Sequence, residues 1–156
     1  MNDSGSIHPL RPESQASSAP TPLFANDADS FVQQLRLAAQ AHRAGRLDEA
    51  AAAYRDALAQ APGYAEAHNN VGNTLRELAQ FDAAIASYRA ALALKPDFAE
   101  ALFDRANTLT VMNRLEEAES SYRAALRSRP DYFSARVNLG SALLRRNLPR
   151  PAIEQY

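Results

Sequence analysis

The 156-residue chain contains no cysteine, so it can hold neither a disulfide nor a thiolate metal site, and it cannot use a cysteine nucleophile. Its five glycines are scattered singly, which excludes a phosphate-cradling loop and a dinucleotide-binding fingerprint. The three histidines show neither the HExxH pattern nor another short metal-ligand spacing. We therefore predict no metal site, no cofactor and no catalytic residue within this sequence.

Strong net charge and long apolar runs are also missing. The net charge is −1, from 17 basic and 18 acidic residues, and this argues against a nucleic-acid binder or an anionic-membrane binder. No apolar run approaches the roughly 18 residues that a membrane helix needs. The amino terminus lacks the basic start and the apolar stretch of a signal peptide. We expect a cytoplasmic protein whose partners include neither nucleic acid nor a membrane.

Residues 1–29 are predicted to form a disordered tail, because prolines and serines are frequent there and large apolar side chains are few. Such a segment cannot bury enough surface to offset the entropy that is lost on ordering. An ordered domain is expected over residues 30–156, since Ser30 and Gln33 have the spacing of a helix capping box.

The main feature that the chain does contain is a phrase that returns every 34 residues: AYRDAL at 53–58, then SYRAAL at 87–92 and again at 121–126. From Phe31 onward the chain divides into three units of this length and an incomplete fourth. The units are 31–64, 65–98, 99–132 and 133–156. Aligned, they share an alanine, a tyrosine and a proline column: Ala50, Ala84, Ala118 and Ala152; Tyr54, Tyr88, Tyr122 and Tyr156; Pro62, Pro96 and Pro130.

The spacing of these columns is helical. Ala50, Tyr54 and Ala57 lie at i, i+4 and i+7, on one face of an α-helix. A second apolar stripe lies upstream in each unit, and the proline column ends the downstream helix because proline cannot continue the hydrogen-bond ladder. Each unit is therefore predicted to be a helix–turn–helix. One such hairpin cannot bury its apolar face alone, so the units must stack into an all-α fold.

The 34-residue period and its columns resemble the tetratricopeptide repeat, and the resemblance covers residues 31–156. It implies a right-handed α-solenoid of stacked helix–turn–helix repeats. Within that family, the phrases AEAHNNVGNTL, ASYRAALALKPDFAEA and ARVNLGSAL are similar to the repeats that precede the catalytic region of O-linked N-acetylglucosamine transferases. This closer resemblance implies no catalytic residue in the chain.

The resemblance also implies that ligands contact the concave side, at fixed positions of each unit's first helix. Side-chain amides at such positions can pair with both the N–H and the C=O of an extended peptide. Alternatively, the amides solvate an exposed helix face. The residues predicted to bind a peptide are Asn69, Asn70, Asn73, Arg76, Asn107, Asn138 and Arg145.

One binding mode of the family is not expected. Repeats that grip the carboxylate ends of heat-shock chaperones use a clamp of basic and amide residues. In this sequence the clamp would need lysines in place of Leu35 or Asn69, and in place of Glu100 or Ser134. The resemblance therefore does not extend to a chaperone adaptor.

Two classes of function fit these residues. The first is a non-catalytic protein–protein interaction scaffold that binds extended peptides or helical partners on its concave face. The second is the amino-terminal, substrate-selecting part of a truncated O-linked N-acetylglucosamine transferase-like glycosyltransferase. Natural solenoids close with a polar capping helix, whereas this chain stops at Tyr156, so we expect a fragment of a longer protein. An uncapped stack exposes apolar area, and we expect its carboxyl end to fray or to self-associate.

Overall fold

The fold is all-α, as the repeat predicts. A computed structural model describes residues 23–147, with side chains from residue 30 onward. Over this range seven α-helices follow one another and no strand is present. They are α1 (Leu23–Arg43), α2 (Leu47–Gln60), α3 (Ala65–Glu77), α4 (Phe81–Leu94), α5 (Ala99–Val111), α6 (Leu115–Ser128) and α7 (Phe133–Arg145).

The helices repeat with the period of the sequence. Helices α3, α5 and α7 begin at Ala65, Ala99 and Phe133, which are equivalent positions of successive units. Within each of the first three units the two helices pack together, as α1 with α2, α3 with α4 and α5 with α6. Between units, α2 packs on α3, α4 on α5 and α6 on α7, while α5 also contacts α3 and α7. The first helices therefore line one side of the stack.

A left-handed residue ends the first helix of every unit. Ala79, Asn113 and Asn147 each have a φ of 58°, and Gly45 has a φ of 73° at the equivalent position of the first unit. Glycine and asparagine adopt this conformation at little cost, whereas an alanine is strained there. The hinge between the two helices of a unit thus depends on one backbone conformation.

The alanine and tyrosine columns form the core between the helices. All members of both columns in the described residues are at most 4 % exposed. Gly72 shows how closely the helices approach, because a Cβ atom at this position would lie 2.4 Å from Cε1 of the Tyr88 ring. The small residue on α3 is therefore required by the ring that α4 inserts against it.

The amino-terminal boundary lies earlier than the capping-box spacing predicts. Helix α1 begins at Leu23 rather than near Ser30, so residues 23–29 are helical instead of part of a tail. This segment contains neither proline nor glycine, and Pro22, a residue type that favours helix starts, stands just before it. The remainder of the predicted tail and the second helix of unit four, with its predicted fraying, lie outside the described residues.

A candidate peptide-binding face

The first-helix face is the surface formed by α1, α3, α5 and α7. It holds every residue that the sequence predicts to bind a peptide. Asn69, Asn70, Asn73 and Arg76 lie on α3, Asn107 lies on α5, and Asn138 and Arg145 lie on α7.

Most of these amides bind to neighbouring helices of the stack. The Tyr88 hydroxyl donates to Asn73 Oδ1 at 2.8 Å, and Asn73 Nδ2 donates to Asp104 Oδ2 at 3.1 Å. Asn69, which is only 6 % exposed, donates from Nδ2 to the same carboxylate oxygen at 3.2 Å. A chain of hydrogen bonds thus joins α4, α3 and α5 across the boundary between units two and three.

The next boundary repeats the arrangement with one substitution. The Tyr122 hydroxyl donates to Asn107 Oδ1 at 2.7 Å, and Asn138 Nδ2 donates to the same oxygen at 2.9 Å. Tyr122, Asn107 and Asn138 are each 34 residues after Tyr88, Asn73 and Asp104. An amide at this boundary therefore takes the place that a carboxylate has at the previous one.

Burial keeps the tyrosine hydroxyls of this network protonated. It raises the pKa of Tyr88 and of Tyr122 above the ordinary value, and the negative charge of Asp104 raises the pKa of Tyr88 further. Both hydroxyls therefore remain hydrogen-bond donors at a higher pH than ordinary tyrosines do, and their acceptors are the asparagine oxygens.

The boundary between units one and two lacks the central member of this network. Ala39 stands where Asn73 and Asn107 stand in the following units, so α1 offers no amide to the tyrosine. Tyr54 is 4 % exposed, and its hydroxyl has no hydrogen-bond partner among residues 23–147. The Asn70 side chain is exposed and likewise makes no hydrogen bond within this range. Of the seven predicted residues, Asn70 is thus the asparagine whose whole amide faces outward.

The two predicted arginines differ in their surroundings. Arg145 bridges α7 to α5, because it donates to the Thr110 carbonyl oxygen at 3.1 Å and to Asn113 Oδ1 at 2.9 Å. The buried Nε of Arg76 has no hydrogen-bond partner in the part of the chain that the structure describes. Arg76 lies near Tyr88, and its charge lowers the pKa of that residue against the larger effect of burial.

Two open cavities lie on the first-helix face. The first, of about 310 Å³, is lined by Asn107, Thr110, Val111, Tyr122, Asn138, Ser141 and Arg145. The second, of about 630 Å³, is lined by Phe31, Val32, Leu35, Arg36, Ala39, Gln40, Arg43 and Tyr64. Three lining residues of the first cavity, Asn107, Asn138 and Arg145, are among those that the sequence predicts to bind a peptide, whereas no lining residue of the second cavity is. In the sequence, the second cavity could have been recognised from the arginines that alternate with apolar residues along α1.

Metal-ligand clusters and membrane-spanning helices are both absent from residues 23–147. No cluster of histidine, aspartate and glutamate in this range could hold a metal ion. None of its helices combines the length and the apolar character that crossing a membrane requires.

Comparison with protein families gives two overlapping matches. A family described as "TPR repeat" matches residues 72–110, and one described as "Tetratricopeptide repeat" matches residues 103–156. Together they cover more than half of the chain. No curated protein matches the sequence.

Solved structures with the same architecture include three informative cases. A crystal structure of MamA has a TM-score of 0.78 and 20 % identity, covering 85 % of this chain and 77 % of that one. The first tetratricopeptide repeat domain of Spaghetti (RPAP3), bound to the HSP90 peptide SRMEEVD, has a TM-score of 0.70 and 22 % identity, covering 72 % and 89 %. The O-GlcNAc transferase of Thermobaculum terrenum (K341M mutant) has a TM-score of 0.69 and 31 % identity, covering 75 % of this chain and 22 % of that one.

Proposed function

Since the chain belongs to the tetratricopeptide-repeat family, we propose that it is a non-catalytic protein–protein interaction scaffold that binds an extended peptide on its first-helix face. The observation that carries the proposal is the cavity of about 310 Å³ between α5 and α7. Polar and apolar groups both line it, as they do in sites that bind peptides.

The amides in this cavity retain groups for a ligand. Asn107 accepts two hydrogen bonds through Oδ1, and its Nδ2 donates to no described residue. Asn138 donates through Nδ2, which leaves its Oδ1 as an acceptor. An extended peptide presents unpaired N–H and C=O groups, so one donor and one acceptor side by side suit its backbone.

Exposed apolar side chains beside the cavity add a second contribution. Val111 is 63 % exposed and Leu144 is 48 % exposed, and both lie on the first-helix face. Burying such side chains under a peptide is favourable by about 1 kcal/mol or more for each. The amides would then orient the peptide, and the apolar groups would supply much of the binding free energy.

A matched pair of variants tests the proposal. Peptides that bind the chain are first selected from a random phage-displayed library, and their affinity is measured by fluorescence polarisation. The double variant Asn70→Ala with Asn138→Ala should weaken binding about tenfold, because it removes two amides that can bond to the ligand. Asp56→Ala, an exposed change on α2, serves as the control and should leave affinity unchanged.

Circular dichroism melts must accompany this measurement, since Asn138 also bonds to Asn107 within the stack. A folded double variant with unchanged affinity would disprove peptide binding through these amides. An equal loss in Asp56→Ala would place the peptide away from the first-helix face.

A second candidate function is the substrate-selecting part of an O-linked N-acetylglucosamine transferase-like enzyme. The observation in its favour is the 31 % identity to the Thermobaculum terrenum enzyme, of which this chain spans 22 %. In that case the same face would bind acceptor proteins for a catalytic region elsewhere. The reading frame downstream of residue 156 decides between the two: an in-frame glycosyltransferase region supports this candidate, and its absence rejects it.

The peptide bound by the Spaghetti domain is not proposed as a ligand of this chain. The clamp for such a carboxylate end would need lysines at the positions of Leu35 or Asn69, and both are uncharged. Glu100, which stands at another clamp position, forms an ion pair with Arg129. A carboxylate at this position cannot supply the positive charge that the clamp needs.

A further inference from the structure

The boundary between units one and two lacks a side chain that both later boundaries contain. In units two and three the tyrosine hydroxyl donates to the asparagine that precedes it by 15 residues. The residue 15 positions before Tyr54 is Ala39, whose methyl group cannot accept a hydrogen bond. The hydroxyl of a tyrosine that is 4 % exposed is therefore left without an acceptor in residues 23–147. The hydroxyl itself is not enclosed, because it is absent from the buried polar atoms without a partner, so it can donate to a group that comes from outside the described residues.

We propose that the space beside Ala39 is a subsite for an aspartate or glutamate side chain of a bound peptide, whose carboxylate accepts hydrogen bonds from the Tyr54 hydroxyl and from Asn70 Nδ2. The inference rests on the proposed peptide-binding function. It assigns to the ligand the acceptor that Asn73 and Asn107 supply from within the protein at the other boundaries.

The charges around the subsite favour a carboxylate over a neutral amide. Arg36 and Arg43 are exposed, and neither forms an ion pair or a hydrogen bond with another described residue. Arg43 lies close enough to Tyr54 to lower the pKa of that residue against the larger, opposite effect of burial. An incoming carboxylate would thus meet two cations without partners.

Both acidic side chains of α3 lie beside basic side chains. Glu77 Oε1 lies 3.1 Å from His42 Nε2, and Glu66 Oε1 lies 3.6 Å from Lys95 Nζ. At the next boundary Asp104 itself provides the carboxylate that binds Asn69 and Asn73. The protein therefore shows, one unit further along, that a carboxylate fits beside the asparagines of α3.

A ligand side chain has a route to this position. Arg36, Ala39 and Arg43 line one wall of the open cavity of about 630 Å³. The cavity also contains apolar groups, among them Val32, which is 43 % exposed. A peptide lying in the cavity can direct an acidic side chain towards Ala39 while its apolar neighbours contact Val32.

The test uses N-acetyl-aspartate N-methylamide as the probe, with N-acetyl-asparagine N-methylamide and N-acetyl-lysine N-methylamide for comparison. Two-dimensional NMR follows the backbone amide of Ala39 and the side-chain amide of Asn70 during titration of the full chain. We expect saturable shifts with the aspartate derivative, affinity about fivefold lower for the asparagine derivative, and no response to the lysine derivative.

Two variants separate the subsite from general effects. Tyr54→Phe removes the donor and should weaken the aspartate derivative about tenfold. Tyr132→Phe removes a hydroxyl just before α7, outside the lining of this cavity, and should leave the affinity unchanged. Ala39→Asn fills the space from within, so it should abolish the response and raise the melting temperature by about 4 °C.

The outcomes are distinct. Undiminished binding to Ala39→Asn or to Tyr54→Phe overturns the subsite. If selected peptides bind the first-helix face with equal affinity in both variants, the subsite is wrong and the proposed function stands. If the aspartate derivative binds as expected but no peptide does, the carboxylate site stands and the peptide-binding function fails.

Discussion

Tyr54 and Tyr88 occupy the same column of successive repeats, and their surroundings differ at one residue. Tyr88 donates to Asn73 at 2.8 Å, and that asparagine is tied in turn to Asp104. Tyr54 faces Ala39 instead, and its hydroxyl has no partner among the described residues. At the later boundary the protein's own side chains bond to the tyrosine hydroxyl, whereas at the earlier boundary no described side chain does. Equivalent tyrosines of successive repeats can therefore differ in hydrogen bonding because of a single substitution in the facing helix.

The largest loss of stability is expected from a substitution within unit two, where Gly72 of α3 meets the Tyr88 ring of α4. Gly72→Ala places a Cβ atom 2.4 Å from the Tyr88 ring, which is fully buried and held by its bond to Asn73. We expect a loss of about 2 kcal/mol in the free energy of unfolding, measured by urea denaturation.

Gly63→Ala is the matched control, because a Cβ atom at Gly63 would meet nothing within 4 Å. Its effect should stay within about 0.5 kcal/mol. Unchanged stability of Gly72→Ala would mean that the Tyr88 ring can shift to accommodate a methyl group; Ala106 stands at the equivalent position of the next unit.

The second prediction compares the two tyrosines directly. Tyr88→Phe leaves Asn73 Oδ1 without its donor in a partly buried site and should cost about 1.5 kcal/mol. Tyr54→Phe removes a hydroxyl that has no acceptor in the described structure, so its cost should be near zero. Chemical denaturation of both variants under one condition gives the comparison, and equal losses would contradict it.

The third prediction concerns alkaline pH. Burial raises the pKa of Tyr88 and Tyr122 in the folded protein, so the unfolded chain loses these protons first as the pH rises. Stability should be constant below about pH 10 and should fall above it, by up to about 1.4 kcal/mol per pH unit for each tyrosine. Tyr88→Phe should reduce this slope between pH 9 and 11, and an unaltered slope would show that Tyr88 does not contribute.

The smallest effect is expected at the hinges. Ala79 adopts a φ of 58° where the next unit has Asn113 and the first unit has Gly45. Ala79→Gly should therefore raise the melting temperature and stabilise the fold by about 0.7 kcal/mol. Asn113→Ala introduces the same strain and also removes an acceptor of Arg145, so it should lower stability by at least a similar amount. A loss of stability in Ala79→Gly would mean that the alanine contributes contacts that outweigh its backbone strain.

The period of the sequence was sufficient to predict the helices. The buried face of α2 is indicated by the spacing of Ala50, Tyr54 and Ala57. The end of that helix is indicated by Pro62. The helix over residues 23–29 was missed because the composition of the preceding segment suggested a tail, although nothing in those seven residues interrupts a helix.

The binding residues were harder to predict than the helices. The periodicity placed Asn69, Asn73 and Asn107 on the first-helix face, but it could not show that the neighbouring units occupy their amides. Helical spacing identifies the side of a helix on which a residue lies. It does not identify the atoms that meet when helices pack, because the bonded residues lie 15 to 35 positions apart in the sequence. The sequence alignment shows that Ala39 replaces the asparagine of the later units. Only the positions of the tyrosine hydroxyls show that this replacement removes their hydrogen-bond acceptor.

The central claim is that the tyrosine of the first unit is a free donor while those of the second and third are bonded. Hydroxyl exchange in the chain labelled with ¹³C at tyrosine Cζ measures this directly by NMR in mixed H₂O and D₂O, with Tyr→Phe variants to assign the signals. We predict separate isotope-shifted signals, and hence slow exchange, for Tyr88 and Tyr122, and one averaged signal for Tyr54. Slow exchange at Tyr54, or fast exchange at Tyr88 and Tyr122, would contradict the account.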